Sequence, residues 1–390
     1  MESNSISAAR MFWIFLKMGA TSFGGPIAHL ALFRREFVHK RKWISEAEYA
    51  ELVALCQSLP GPSSSQVGLL IARSRSGLAG CLAAFLGFTL PGAALLSLAA
   101  SWLNGPQAPW IGGLRVFAVA IVCQAVWSMA RSLTPDPRRK GIGLAAMAIC
   151  MAVGGGAGQI LAIAMGGGMG QILCREPPGT GSCRAARSTT IWVLAPLAVY
   201  AALLALVLLV PMDGAPPLVR LCAAMYRAGA LVFGGGHVVL PLLTSEVVGR
   251  LGISSQQFFS GYGLVQGMPG PIFNIAAWVG TSMTGIVGAV CATLAIFLPG
   301  ILVALGARPI WSDLKALPRF QRGVAGTNAA VVGVLAAAFV QVVVPEGIHS
   351  LADLGLAAIS LFLLATLSWP PWLVASICAG AAVGIKLAGF

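Results

Sequence analysis

Apolar stretches of about 20 residues, separated by short polar segments, fill almost the whole of this 390-residue chain. A stretch of that length is what an α-helix needs to cross the hydrocarbon core of a bilayer. Hydrophobic residues make up 57% of the sequence and charged residues 9%, whereas soluble domains carry about 25% charged residues. The sequence therefore predicts an all-α polytopic membrane protein with about 10–13 membrane elements.

The two halves of the chain carry the same three motifs in the same order. Residues 16–26 align with 226–236, residues 55–62 with 264–271, and residues 89–92 with 297–300, at almost the same offset each time. We infer an internal duplication. It divides the chain into a first repeat at residues 1–175, a linker with one odd transmembrane helix at 176–217, and a second repeat at 218–390.

Loop charges indicate how the two repeats are oriented. Residues 34–42 are strongly basic, while the matching stretch of the second half has only Arg250; residues 104–110 are uncharged, but their counterpart around 308–322 is basic. Basic loops stay on the cytoplasmic side of a membrane. The repeats are therefore predicted to have inverted topology. Most of the net charge of +13 is explained by these basic cytoplasmic loops. A positive charge would also attract an anionic substrate.

The triplets Pro60-Gly61-Pro62 and Pro269-Gly270-Pro271 interrupt apolar segments. Basic loops flank the first triplet at 34–42 and 73–75, so the segment between them is predicted to enter the membrane and return. We expect the same of the segment around Gly24. Residues 77–103, 113–131, 191–210, 280–305, 321–344, 351–367 and 371–389 are predicted to be spans, and 141–173 two short helices.

Broken helices are tolerated at membrane depth where they are buried in protein or line a cavity. A half-helix that begins there presents free N–H groups and a positive dipole end, which suit an anion. Hydroxyl and amide side chains flank both triplets and would add neutral donors. We therefore predict an anion site at the interface of the repeats; the alternative is that the breaks are only tight packing corners.

Two cations lie inside apolar segments, at matching positions before the two Phe-Gly-Gly motifs. A cation inside a span costs about 2.5–3.5 kcal/mol and often marks a pathway, although each could instead extend to the membrane surface. The complete set of candidate substrate-binding residues is Lys17, Gly24, Gly25, Gln57, Pro60, Gly61, Ser63, Ser64, Ser65, Arg227, Gly234, Gly235, Gln266, Pro269, Gly270 and Asn274. His29 and His237 are candidates for proton coupling, or polar residues at helix ends.

The motifs at residues 23–29, 59–66 and 233–241 resemble the signatures of the chromate ion transporter (CHR) family. Pro269-Gly270-Pro271, followed by Phe273 and Gly280, fits the second-half pattern of its two-domain bacterial form. The resemblance covers nearly the whole chain. It implies a secondary transporter that exports chromate across the inner (plasma) membrane and confers chromate resistance, with sulfate as an analogue of the same shape and charge. Arg73, Arg75 and the linker at 175–190 depart from the expected pattern.

Nucleotide-binding, zinc-ligand and hydrolase motifs are missing from the sequence. We therefore expect no enzyme activity, no cofactor, no metal and no nucleic-acid partner. The expected partners are chromate or sulfate and the lipid bilayer, and we also consider a homodimer. Two alternatives stay open: a transporter of sulfate or another oxyanion, and a membrane-embedded enzyme acting on phosphorylated lipid. The enzyme would need a titratable nucleophile or base beside the breaks.

Overall fold

The computed structural model describes residues 6–103, 109–174, 191–212, 214–233 and 239–387, and these contain helices and no β-strand. Polar residues cap several helices because their side chains accept first-turn N–H groups; Ser45 and Glu48, for example, form a capping box. The helices are α1 (Ala8–Thr21), α2 (Gly25–Phe33), α3 (Glu46–Ser58), α4 (Ser63–Leu103), α5 (Pro109–Leu133), α6 (Pro137–Val153), α7 (Gly155–Leu173), α8 (Ile191–Leu209), α9 (Pro217–Leu231), α10 (Val239–Thr244), α11 (Ser255–Gly267), α12 (Ile275–Ala307), α13 (Trp311–Ala316), α14 (Pro318–Ala338), α15 (Val344–Gly347), α16 (Leu351–Ala365) and α17 (Pro371–Leu387).

Helices α4 and α12 are each a hairpin of two helical arms. The chain folds back at Ser76–Gly77 in α4 and at Thr284–Gly285 in α12, where both glycines have positive φ (+60° and +69°). Gly280 consequently lies against Gly288, although these residues would be about 12 Å apart in a straight helix. Each hairpin has a short first arm (residues 63–75 and 275–283) and a long second arm (residues 78–103 and 286–307).

The segments around the first-half breaks begin and end at the same end of the molecule. The Arg75 guanidinium donates to the Trp43 carbonyl, which joins the end of the first α4 arm to the loop before α3. Ile6 donates to the Arg75 carbonyl at 3.4 Å, so α1 also starts there. A π-helical turn (Arg34–Lys40) follows α2, and Arg34 pairs with Glu46 at 2.6 Å. Both segments therefore enter and return, as predicted.

The second half repeats the local geometry of the first. A π-helical turn (Ser245–Arg250) follows α10 as one follows α2, and Ser254 caps α11 as Ser45 caps α3. The fold-backs of α4 and α12 also have nearly identical dihedral angles. Gly19 and Gly229 occupy matching positions, where α1 and α9 pack closely on Phe88 and Ile296 of the long arms.

An ion pair and a hydrogen bond indicate that the repeats run in opposite directions. Lys315, in the third loop of the second half, pairs with Glu51 near the start of α3 at 2.7 Å. Arg138, in the fourth loop of the first half, donates to the Leu173 carbonyl at 3.0 Å. Since α14 packs on α7 where Gly170 meets Arg322, these basic loops share one end with residues 34–42. We call this the basic end.

The predicted spans lie in helices, and 141–173 forms two helices, α6 and α7, joined at Gly154. The predicted start of the span 280–305 is wrong by a few residues, because the chain folds back at Thr284–Gly285 and the long arm begins only at residue 286. Four described segments are long and apolar enough to cross a membrane: α4, α5, the segment from Ile272 to Ala316, and that from Pro318 to Gly347. Shorter apolar helices occur at Leu194–Leu209, Leu351–Ala365 and Pro371–Gly384. The prediction of an all-α polytopic membrane protein is confirmed.

Replacing Gly61 with alanine tests the contact between the two halves. Gly61 has φ of +113°, and a Cβ there would lie 2.7 Å from Gly300 Cα. We expect Gly61→Ala to destabilise the protein by about 2–4 kcal/mol, because backbone strain and overlap both contribute. The matched control is Gly77→Ala, which has positive φ but no atom within 4 Å. Melting temperatures in detergent should fall further for Gly61→Ala; equal losses would contradict the prediction.

Candidate functional site

The two Pro-Gly-Pro breaks are held by a reciprocal pair of hydrogen bonds between the repeats. The Gly61 N–H donates to the Val232 carbonyl at 2.8 Å, and the Gly270 N–H donates to the Ser22 carbonyl at 2.9 Å. Ser22 and Val232 are themselves matching positions at the ends of α1 and α9. Each repeat therefore closes the triplet of the other, using the carbonyl that follows its own α1 or α9.

Two buried amides reinforce this junction. Gln66 Nε2 donates to the carbonyls of Pro60 (2.8 Å) and Gly300 (2.9 Å), and Asn274 Nδ2 donates to the Thr89 carbonyl at 3.1 Å. Both residues are fully buried. The structure thus places Pro60, Gly61, Gly270 and Asn274 in the junction between the repeats. The Gly61 and Gly270 N–H groups are already bonded and are not free donors for an anion.

A cavity of about 740 Å³ opens beside this junction. Four residues from the sequence prediction line it: Gly24, Gln57, Ser63 and Gln266. Its wall continues along α5 to Ser132 and Leu133, where α5 ends just before the basic loop at 134–140. The cavity therefore runs from the breaks to the basic end.

Matching residues of the two repeats meet in this cavity. Gln57 ends α3 and Gln266 ends α11, each just before its triplet, and both line the same space. Ser63 begins the first α4 arm, and Gly24 precedes the first residue of α2. The N-termini of two half-helices are therefore at the cavity wall, where first-turn N–H groups have no partner within their own helix.

The other first-half candidates lie behind the cavity wall. Ser64 and Ser65 are buried in the first turn of the α4 arm, and Gly25 starts α2 with φ of +72°. His29 is buried and its Nδ1 lies 3.3 Å from Ser64 Oγ. Pro269 is packed against Gly92 of the other repeat. Gly234, Gly235 and His237 lie outside the described residues.

The two predicted cations have different environments. Arg227 is buried; its Nε and Nη2 donate to Glu246 at 3.0 and 2.6 Å, and its Nη1 donates to the Val207 carbonyl at 2.9 Å. Lys17 is exposed on α1 and pairs with no carboxylate of the described chain. The difference arises because α8 covers α9, whereas no described helix covers the matching face of α1. Neither cation lines the cavity.

Sequence reasoning missed part of the cavity wall. Gln124, Ser128 and Ser132 of α5 line the cavity together with Asn328 and Ser368. The first three recur every four residues in a mostly apolar helix, which places them on one face. This polar stripe was a signal in the sequence. Asn328 and Ser368 carried no comparable pattern.

The model of the chromate transporter family matches residues 9–171 and 219–385, one match in each repeat. The chain belongs to the chromate transporter family. A chromate transport protein of Pseudomonas aeruginosa is 28% identical over 343 residues, covering 85% of this chain and 80% of that protein. A probable chromate transport protein of Synechococcus elongatus is 29% identical over 369 residues, covering 91% and 88%.

A chromate transport protein of Cupriavidus metallidurans is 26% identical over 365 residues, covering 90% of this chain and 86% of that protein. No solved structure matches the chain. Membership of the family agrees with the resemblance of the motifs around Gly24, Gly61 and Pro241. It makes this chain a multi-pass member of a transporter family.

The buried ion pair of this family member yields a prediction about stability. Arg227→Ala should destabilise the protein by about 3–5 kcal/mol, because it leaves the Glu246 carboxylate buried without a partner. The double variant Arg227→Met/Glu246→Leu should recover most of that loss. Lys17→Ala is the control and should change stability by less than about 0.5 kcal/mol. Melting temperatures check all three; a stable Arg227→Ala protein would contradict the pairing.

Proposed function

We propose that this protein is a secondary transporter that exports chromate across the inner membrane and so confers chromate resistance. Membership of the chromate transporter family supports chromate as the transported ion. The observation that carries the rest is the cavity, lined by amide and hydroxyl groups as well as apolar side chains, that joins the breaks of both repeats to the basic end. A solute bound there contacts both repeats, which is the position that inverted-repeat transporters use for their cargo.

The cavity is suited to an anion although it carries no net charge. The N-termini of α2 and of the α4 arm contribute the positive ends of their dipoles. The amides of Gln57 and Gln266 and the hydroxyls of Ser63, Ser128 and Ser132 supply neutral donors. Chromate and sulfate are both tetrahedral dianions, so the same donors would bind either one. We infer that sulfate competes with chromate at this site.

No charged residue is found among the described residues that line the cavity. Lys17, which has no carboxylate partner among the described residues, would therefore attract the anion at long range rather than by contact, whereas the charge of Arg227 is balanced by Glu246. A transporter must bind its cargo tightly enough to take it up and weakly enough to release it. Neutral donors meet that need better than a buried cation would.

Export follows from the position of the cavity and the sign of the membrane potential. The basic end is the cytoplasmic end by the charge rule for membrane loops, and the cavity reaches it. An inside-negative potential favours the exit of an anion by about 2.3 kcal/mol per charge per 100 mV. The buried His29 beside Ser64 is our candidate for any additional coupling to protons, together with His237.

Proteoliposomes test this proposal. We expect Gln57→Ala and Gln266→Ala each to weaken chromate transport by about tenfold or more, because each removes a hydrogen bond to a charged ligand. Gln171→Ala, an exposed glutamine of α7 outside the cavity, should transport normally. Transport should follow an imposed potential, and sulfate should compete.

Normal chromate transport in both cavity variants would remove these amides from the site. Transport that ignores the sign of the potential would contradict electrically driven export. Hydrolysis of a phosphorylated lipid by the purified protein would favour the enzyme alternative.

A further inference from the structure

A second, smaller cavity of about 180 Å³ lies outside the proposed transport site. Three arginines line it: Arg220 on α9, Arg227 deeper in the same helix, and Arg250 at the end of the π-helical turn. The remaining wall is formed by residues 207–212 at the end of α8 and by Leu251. We call this space the arginine pocket.

The arginine pocket is at the end of the molecule opposite the basic loops. Helix α7 runs from Gly155 to Leu173, and Leu173 is at the basic end because Arg138 donates to its carbonyl. The start of α7 is therefore at the opposite end, where Gly156 lies near Ser245. Ser245 begins the π-helical turn that ends at Arg250. By the charge rule the pocket faces the outside of the cell.

Positive charge exceeds negative charge in the pocket. Glu246 is the one carboxylate that pairs with these arginines within the described part of the chain; it lies 2.6 Å from Arg227 and 3.8 Å from Arg250. Arg220 donates to the Arg250 carbonyl at 2.8 Å and has no described acidic partner. Two of the three guanidinium groups, those of Arg227 and Arg250, thus share one carboxylate. Arg227 and Glu246 are both more than nine-tenths buried.

The roles of the three arginines differ. Arg227 is held by Glu246 and by the Val207 carbonyl, so it is a positioning residue that fixes the carboxylate and adds positive potential. Arg250 is exposed, and Arg220 is half-buried. Their remaining N–H groups have no carboxylate partner among the described residues, and the planar fork of a guanidinium matches the oxygens of a tetrahedral oxyanion.

We propose that the arginine pocket is a second anion site, which binds a divalent tetrahedral oxyanion on the side of the membrane opposite the transport cavity. The excess of two positive charges among its described residues matches a dianion. The volume would hold such an ion with water beside it. The pocket would bind the anion whether or not the protein exports chromate. A phosphate on a lipid headgroup has the same chemistry as a free oxyanion, and the experiment distinguishes the two sources.

The test is equilibrium binding of radiolabelled sulfate to the full-length protein in nanodiscs of neutral phosphatidylcholine. The measurements use protein that carries Gln57→Ala, which weakens anion binding in the transport cavity. The sulfate binding that remains then reports on the arginine pocket. In that background, Arg220→Gln and Arg250→Gln should each weaken sulfate binding by about tenfold, because each removes a charge-assisted hydrogen bond. The matched control is Arg319→Gln, an exposed arginine at the basic end, which should bind as its parent does.

Melting temperatures accompany each variant, because Arg220 and Arg250 are not buried and their loss should leave the fold intact. Unchanged sulfate binding in both pocket variants would overturn the proposal. Nanodiscs with phosphatidylglycerol separate the sources. If this lipid lowers sulfate binding by the Gln57→Ala parent to the level of the pocket variants, and leaves the pocket variants unchanged, the pocket is assigned to lipid phosphate. Equal binding in both lipids would assign it to the free anion. Failure of chromate transport with sulfate still bound would count against the proposed function alone.

Discussion

Two hydrogen bonds between the repeats, Gly61 to Val232 and Gly270 to Ser22, hold the centre of this membrane protein together. A helix broken inside a bilayer leaves peptide groups that lipid cannot satisfy, and each unsatisfied group costs several kcal/mol. Here the group freed by one break is bonded to the group freed by another. The two triplets occupy matching positions in the repeats, and the same type of hydrogen bond, from the glycine N–H to a carbonyl of the other repeat, is made at both. The other features of the site depend on this junction because it fixes where the half-helices start.

Groups near this junction are neutral or paired, whereas unpaired positive charge lies mainly far from it. Within the protein, Arg227 is neutralised by Glu246, and the polar groups that line the cavity are neutral amides and hydroxyls beside apolar side chains. Apart from Lys17 on α1, the unbalanced cations discussed above lie at the two ends, on the basic loops and in the arginine pocket. An anion crossing the protein would therefore meet positive potential at either end and neutral donors in the middle. That arrangement favours passage, since no position holds the ion with a buried, uncompensated charge.

Much of this fold could be predicted from the sequence because the membrane restricts the choices. Charges stay out of the bilayer, so the basic loops at 34–42 and 308–322 indicated that the repeats are inverted. The structure agrees, because Lys315 of the second loop pairs with Glu51, close to the first. Proline and glycine at Pro60–Pro62 indicated where helices break. The partners across the breaks could not be predicted, because nothing local links Gly61 to Val232. For the same reason Arg227 appeared to be a site residue, whereas Glu246 and α8 occupy its guanidinium. The Gln124–Ser128–Ser132 stripe was readable, since it needs only helical periodicity.

The reciprocity of the glycine bonds also has a consequence for biosynthesis. The first repeat leaves the ribosome before the second has been made, and at that stage Gly61 has no Val232 to bond and Ser22 has no Gly270. Until the second repeat is made, the first repeat lacks these two hydrogen bonds at its centre. Both hydrogen bonds form only after the second repeat has inserted beside the first in the opposite orientation. The second repeat must therefore be in place before either of these bonds can form.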